Sequence, residues 1–330
     1  MTTYTFGGTT LYIGGGFQYL SLPDIKFTGR DDIGSVIAGN SFRRQKNSDF
    51  SEYGGSAGGG FETALGYWNG LRVTGGVKGF FSSLENSDRK NCQFDASDFC
   101  IIVDPTGEEL LVTTSFITKT DRDVDYWGGS AELKFGRAEP VHAKPNLYRN
   151  DYFIVGADIR GIDQDNRLRN QFAGGPEIFD YKETLDTTYT GGYVGVGGEY
   201  SFGFLGMGGF YDRIGLRTFI NARAGLYNAE TDYDGRFAFL VFPVATKLSE
   251  SSDDLAFIGT ISLETRKQCV PRTSLSLWTD YEYISSVPEL KYATFGGTTR
   301  IVDDSSFATR TMLRLNIGLG SQQLYEEPLK

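Results

Sequence analysis

The chain has 330 residues and a formal net charge of −10, with 43 Gly, 25 Phe, 19 Tyr and only 3 Met. It contains no run of the roughly 18 to 20 apolar residues that a membrane helix needs, and no basic stripe interleaved with aromatics that would suit nucleic acid. A glycine- and aromatic-rich composition poor in helix formers suits a membrane-embedded β-sheet, whose interfacial girdles take aromatic side chains.

Ten strands are predicted from rows of alternating polarity. The first covers residues 10–21, with Leu11, Ile13, Gly15, Phe17 and Tyr19 outward. After a long polar loop, the second covers residues 52–67, with Tyr53, Ala57, Phe61, Leu65 and Tyr67 outward. Trp68-Asn69-Gly70 then turns into the third, residues 71–83. An Asn-Gly pair between alternating segments is the strongest short hairpin signal. In this strand Leu71, Val73, Gly75, Val77, Gly79 and Phe81 form one face, and Arg72, Thr74, Gly76, Lys78 and Phe80 form the other.

A second long loop holds Cys92 and Cys100, and a disulfide closing it fits an oxidising compartment. Trp127, Gly129, Ala131, Leu133 and Phe135 mark the fourth strand, and a turn with Pro140 and Pro145 follows. Phe153, Val155, Ala157 and Ile159 mark the fifth, and a polar loop is predicted from there to about residue 187. Val194, Val196, Gly198, Tyr200 and Phe202 mark the sixth; Leu216, Thr218, Ile220, Ala222, Ala224 and Leu226 mark the seventh. An acidic loop is predicted next, before the eighth strand at Leu255, Phe257, Gly259, Ile261 and Leu263. Its turn holds Cys269, read as a free thiol or an intermolecular link, and Pro271. Leu275, Leu277, Thr279, Tyr281 and Tyr283 mark the ninth; Thr309, Thr311, Leu313, Leu315 and Ile317 mark the tenth. Residues 110–118 and 236–246 also have strand character; they extend hairpins beyond the membrane or raise the count to twelve.

The connections thus alternate between long and short. Outward apolar rows backed by inward charges suit a closed antiparallel transmembrane β-barrel, a single domain with long extracellular loops and short periplasmic turns. On this pattern, across roughly residues 10–319, the chain resembles the bacterial outer-membrane β-barrel proteins of the porin and surface-antigen class. The resemblance implies residence in the outer membrane, among its lipid and lipopolysaccharide. The chain departs from that class after the tenth strand: residues 320–330 follow as a predicted periplasmic tail, where a terminal aromatic is usual. The first six residues have no basic n-region and no apolar run, so they do not read as a signal peptide. The numbering is therefore read as starting at a mature N-terminus or one made for expression, which leaves open whether Met1 is native.

The lumen is where chemistry is expected. Glu62, Arg72, Lys78, Glu132, Lys134, Asp158, Arg160, Glu199, Arg217, Arg223, Glu264, Asp280, Glu282, Arg310 and Arg314 point inward on this register. In a barrel only slightly wider than the eight-stranded case that side chains fill, such charges pair across the lumen or line a narrow pore. Inward glycines (Gly14, Gly16, Gly54, Gly58, Gly60, Gly76) leave an aqueous path along one wall or mark strong coiling of the sheet.

Enzymatic readings are weak. Outer-membrane barrel proteases and phospholipases rely on a histidine near the rim or in the membrane zone, and the one histidine, His142, falls in a predicted periplasmic turn. Asp280 and Glu282 share a face but read as salt-bridge partners, and the glycine-rich segment 191–198 precedes no helical pattern. No cofactor and no transition-metal cluster is indicated. Acids gather in predicted loops, as at Asp95, Asp98, Asp104, Glu108 and Glu109, and at Asp232, Asp234, Glu250, Asp253 and Asp254. They solvate the surface or bridge to neighbours through divalent cations. The leading reading is a surface or structural barrel contacting partners, or further copies of itself, through its loops; the second is a small porin for ions or polar solutes.

Overall fold

The computed structural model describes residues 4–6, 8–23, 28–32, 43–45, 51–92, 98–103, 105, 109–112, 114–137, 140–141, 147–239, 245–291, 300–319 and 322–324. Ten long strands form a closed up-and-down barrel. They are β2 (Thr9–Ser21), β5 (Ser51–Trp68), β6 (Leu71–Cys92), β9 (Phe116–Arg137), β10 (Arg149–Phe172), β11 (Glu177–Ser201), β12 (Leu216–Phe239), β13 (Ala245–Val270), β14 (Thr273–Lys291) and β15 (Arg300–Leu319). Each pairs antiparallel with the next, and β15 pairs back onto β2 to close the ring. Closure leaves no edge, so the strands satisfy one another's backbone groups without water.

Two smaller sheets lie outside the ring. β3 (Thr28–Asp32), β4 (Arg43–Gln45), β7 (Asp98–Val103) and β8 (Glu109–Val112) form a four-stranded sheet from the first two long connections. Cys92, at the end of β6, is disulfide-bonded to Cys100 of β7 and ties this sheet to the barrel wall. β1 (Tyr4–Phe6) pairs with β16 (Gln322–Leu324). Part of the predicted tail is therefore half of a two-stranded ribbon joining the two termini.

The outward face follows the predicted rows. Ile13, Phe17, Tyr53, Leu65, Val194, Val196, Leu226, Ile261, Leu277 and Leu313 are all exposed. Aromatics gather at both edges of this belt, with Tyr19–Tyr53 and Tyr283–Phe307 at one edge and Trp68–Phe135 at the other. The short turns sit beyond the second edge. One is Asn69-Gly70, whose positive φ values (48° and 79°) are those of a type I′ hairpin.

Two predicted long loops are instead strands. β10 and β11 continue until only residues 173–176 connect them, and β12 and β13 until only 240–244 do. Strands of 24 to 26 residues far exceed the roughly 9 to 11 that cross a bilayer. The prediction stopped early because the polarity inverts along each strand. On β10 the outward row changes from Phe153, Val155, Ala157 and Ile159 to Asp163, Asp165, Arg167 and Arg169, and the inward row from Asp158 and Arg160 to Ile162 and Leu168. Alternation persists with the opposite phase. Of residues 236–246, 236–239 and 245–246 do extend such a hairpin. Residues 110–118 are divided between β8 and β9, and the barrel count is ten.

Of the inward glycines, Gly14, Gly16, Gly54 and Gly60 mark close approach of neighbouring strands, which favours strong coiling of the sheet. A Cβ on Gly16 would land on the Thr311 carbonyl oxygen, and one on Gly54 on that of Ser83. These positions let neighbouring strands close in as the sheet coils. Gly54→Leu should therefore prevent closure or destabilise the barrel by about 3 kcal/mol or more, beyond ordinary overpacking. Gly55→Ala, on the outward face with nothing within 4 Å, should change stability by less than about 0.5 kcal/mol. Heat-modifiable gel mobility and denaturant titration in micelles measure both.

Candidate functional site

The fifteen predicted lumen charges all lie inside the ring, and they divide between two places. Glu62, Arg72, Lys78, Glu132, Lys134, Glu199, Arg217, Arg223, Glu264 and Arg314 line a cavity of about 650 Å³ that reaches the short-turn end. Asp158, Arg160, Asp280, Glu282 and Arg310 sit deeper and are buried.

In the closing layer, Arg160 donates through Nε and Nη2 to Asp158 (3.0 and 2.7 Å) and through Nη1 to Glu282. Glu282 also accepts from the Tyr126 hydroxyl and from Thr260 Oγ1 (3.3 Å). Arg310 donates to Asp280 (3.0 Å), and its guanidinium carbon lies over Phe80, 3.4 Å from the ring centroid. Ser82 bonds Ser56 (2.8 Å), and Ser56 contacts the Met312 sulfur. Every barrel strand contributes an inward side chain less than 9% exposed here: Gln18, Ser56, Ser82, Tyr126, Arg160, Tyr189, Tyr227, Thr260, Glu282 and Arg310. Among the described residues these ten side chains form one buried layer across the ring.

Above it the filling is not ionic. Leu20, Leu84, Val124, Ile162, Ile258, Ile284 and Val287 pack into an apolar core inside the barrel. A buried Glu52–Arg122 pair (3.4 Å) follows, with Arg122 also donating to the Pro23 carbonyl (3.0 Å). The second core, around Phe116, Leu168, Phe179, Tyr181 and Phe237, packs under Cys100 and Ile102 of the outer sheet. Paired charges fill the deep layer and the Glu52–Arg122 position, and two apolar cores fill much of the rest of the tall half.

The cavity at the short-turn end is different. Glu132 is shared by Lys78 (2.8 Å), Lys134 (3.4 Å) and Arg223 (3.5 Å). Lys134 also pairs with Glu62, and Arg266 with Glu264 (2.9 Å). Arginines lie against aromatic rings: Arg217 over Tyr148 (4.7 Å), Arg266 over Phe219 (4.4 Å), Arg314 over Trp278 (3.5 Å). The sequence reading missed these aromatic backings and Arg266. The signal was present, since Tyr12, Tyr152, Phe219 and Trp278 occupy the inward phase among the charges.

Outside, just beyond the belt on the long-loop side, runs an acidic girdle. Glu85 pairs across β6 and β9 with Asp123, which pairs with Asp165; Asp125 pairs with Asp163, and Asp163 with Asp186. Partial burial and the neighbouring carboxylates of Glu85 and Asp165 raise the Asp123 pKa. Burial and the carboxylates of Asp163 and Asp165 do the same at Asp186. Asp232, Asp234, Glu250, Asp253 and Asp254, predicted in a loop, lie on β12 and β13. Asp95, Asp104, Glu108, His142 and Pro145 lie outside the described residues, as do the side chains of Asp98 and Glu109. Among the described residues no three His, Cys, Asp or Glu are placed to hold a metal ion, and Cys269 is exposed and free.

No family model and no curated protein matches the chain. Among solved structures it is similar to the outer membrane protease OmpT of Escherichia coli, at 9% identity and a TM-score of 0.45, over 97% of this chain and 99% of that one. It is also similar to a FadL homologue of Pseudomonas aeruginosa (8%, 0.25, over 94% and 90%). A third is an anion-selective porin of Comamonas acidovorans (10%, 0.22, over 96% and 100%). By its own closed ring, lipid-facing belt and aromatic edges, the chain has the fold of a bacterial outer-membrane β-barrel.

Two measurements probe these features. Arg160→Ala leaves Glu282 and Asp158 buried without their shared cation and should destabilise the barrel by about 3–5 kcal/mol in denaturant titration. At the girdle, a carboxyl whose folded pKa is raised opposes folding once ionised. Stability should therefore rise as pH falls from neutral through the raised pKa, and stop rising below the ordinary carboxylate value. Asp123→Asn should stabilise by about 0.5 kcal/mol at neutral pH and flatten that dependence.

Proposed function

We propose that this protein is a sealed surface barrel of the outer membrane, with its short turns in the periplasm and its tall polar wall in the extracellular space. The single observation carrying this reading is the closing layer, to which all ten strands contribute buried side chains. A conducting porin keeps such a layer open. Here two ion-pair groups and two apolar cores fill the lumen from its middle to the outer sheet. The charge network serves as a rigid strut, because paired ions in a dry space hold one geometry.

The working surface is then the wall above the belt, together with the disulfide-tied sheet. Its outward rows are charged and its inward rows packed, so it presents a stiff, water-facing cylinder to neighbouring molecules. The girdle faces the headgroup zone, where divalent cations shared with lipid phosphates would offset its negative charge.

In planar bilayers the purified protein should give no discrete conductance steps at any voltage up to membrane breakdown. Regular single-channel steps would replace this reading with the porin one.

A further inference from the structure

The closing layer leaves the cavity at the short-turn end blind, and a structural strut does not account for its charge. Among the described residues, eight basic and four acidic side chains line it, an excess of four positive charges. Enclosure by protein and membrane makes such an excess unfavourable unless counter-charge enters.

Arg314 concentrates the imbalance. Its side chain is 8% exposed, stacked on Trp278 and 5.0 Å from the centroid of Tyr12. Its Nε is buried without an acceptor, and among the described residues no carboxylate lies within ion-pairing distance. Glu264, the nearby acid, accepts from Arg266 Nε and Nη2 on Oε1 and lies beyond ion-pairing distance of Arg314. A guanidinium has five donors in a planar fork that matches the oxygens of a phosphate or carboxylate. Stacking fixes the plane of that fork and leaves its edge for a ligand.

We propose that the blind vestibule is a binding site for a small soluble oxyanion, a phosphate or carboxylate group on a compact molecule, anchored by Arg314. The volume exceeds that of a bare anion, and Tyr148, Phe219 and Trp278 offer ring faces to an organic body. Lipid is excluded as the source: the ring has no edge, the far end is closed, and the mouth lies among the short turns.

Trp278 provides an internal reporter, since Trp68 and Trp127 face outward. Full-length protein in micelles would be titrated with inorganic phosphate and with succinate, against chloride at matched ionic strength. The expected result is a saturable fluorescence change with phosphate, succinate or both, half-complete below about 1 mM, and none with chloride. Arg314→Met should weaken binding at least about tenfold, because charge-assisted hydrogen bonds are lost; Arg314→Lys should fall between. Calorimetry on Trp278→Phe should still detect the anion. The absence of a saturable response to either anion in the wild type, an equal response to chloride, or unchanged binding by folded Arg314→Met would overturn the proposal. Should Arg314→Met fail to fold, the wild-type titration alone decides.

Discussion

Each strand of this barrel passes through two solvents, and the change between them governs the rest of the structure. In hydrocarbon, apolar side chains must face out and every backbone group must bond within the sheet. In water the preference reverses, and charges belong outside. A strand has only two faces, so its polarity must change phase where the bilayer ends. β10 does this between Ile159 and Asp163 on one face, and between Arg160 and Ile162 on the other. β12 does so between Leu226 and Glu230 outside, and between Arg223 and Ala229 inside.

The layered interior follows. Where the outside is apolar, the inside carries the chain's polar side chains, and ten strands leave too little room for them to stay hydrated. They pair, as Arg160 does with Asp158 and Glu282, or they stack on rings, as Arg310 does on Phe80. Where the outside is polar, the inside is released to pack as an ordinary core around Ile162, Ile258 and Ile284. The ion-pair layer therefore lies at the junction of the two regimes. The vestibule lies at the opposite end, where the wall is apolar and the interior stays polar without being filled.

This division also marks what the sequence could reveal. Rows such as Leu275, Leu277 and Tyr281 gave the strand count, the faces and the inward set of charges, because period-two alternation is a local property. Cys92 and Cys100, eight residues apart, were legible as a pair for the same reason. The tall hairpins were not, since a rule seeking apolar residues outward reads Asp163, Asp165 and Arg167 as loop. The partition of the charges into a buried ion-pair layer and a cavity also escaped. It depends on contacts such as Tyr126 with Glu282, 156 positions apart, and on barrel shear, which sequence does not display. Asn69-Gly70, by contrast, was readable from two residues.

Spin-label scanning along β10, in a Cys269→Ser background, tests the phase change directly. Labels at 153, 155, 157 and 159 should collide with oxygen dissolved in lipid. Labels at 163, 165, 167 and 169 should collide with a water-soluble nickel complex, and labels at 162, 164, 166 and 168 with neither. If the odd positions met one and the same solvent along the whole strand, the inverted-polarity barrel would be contradicted.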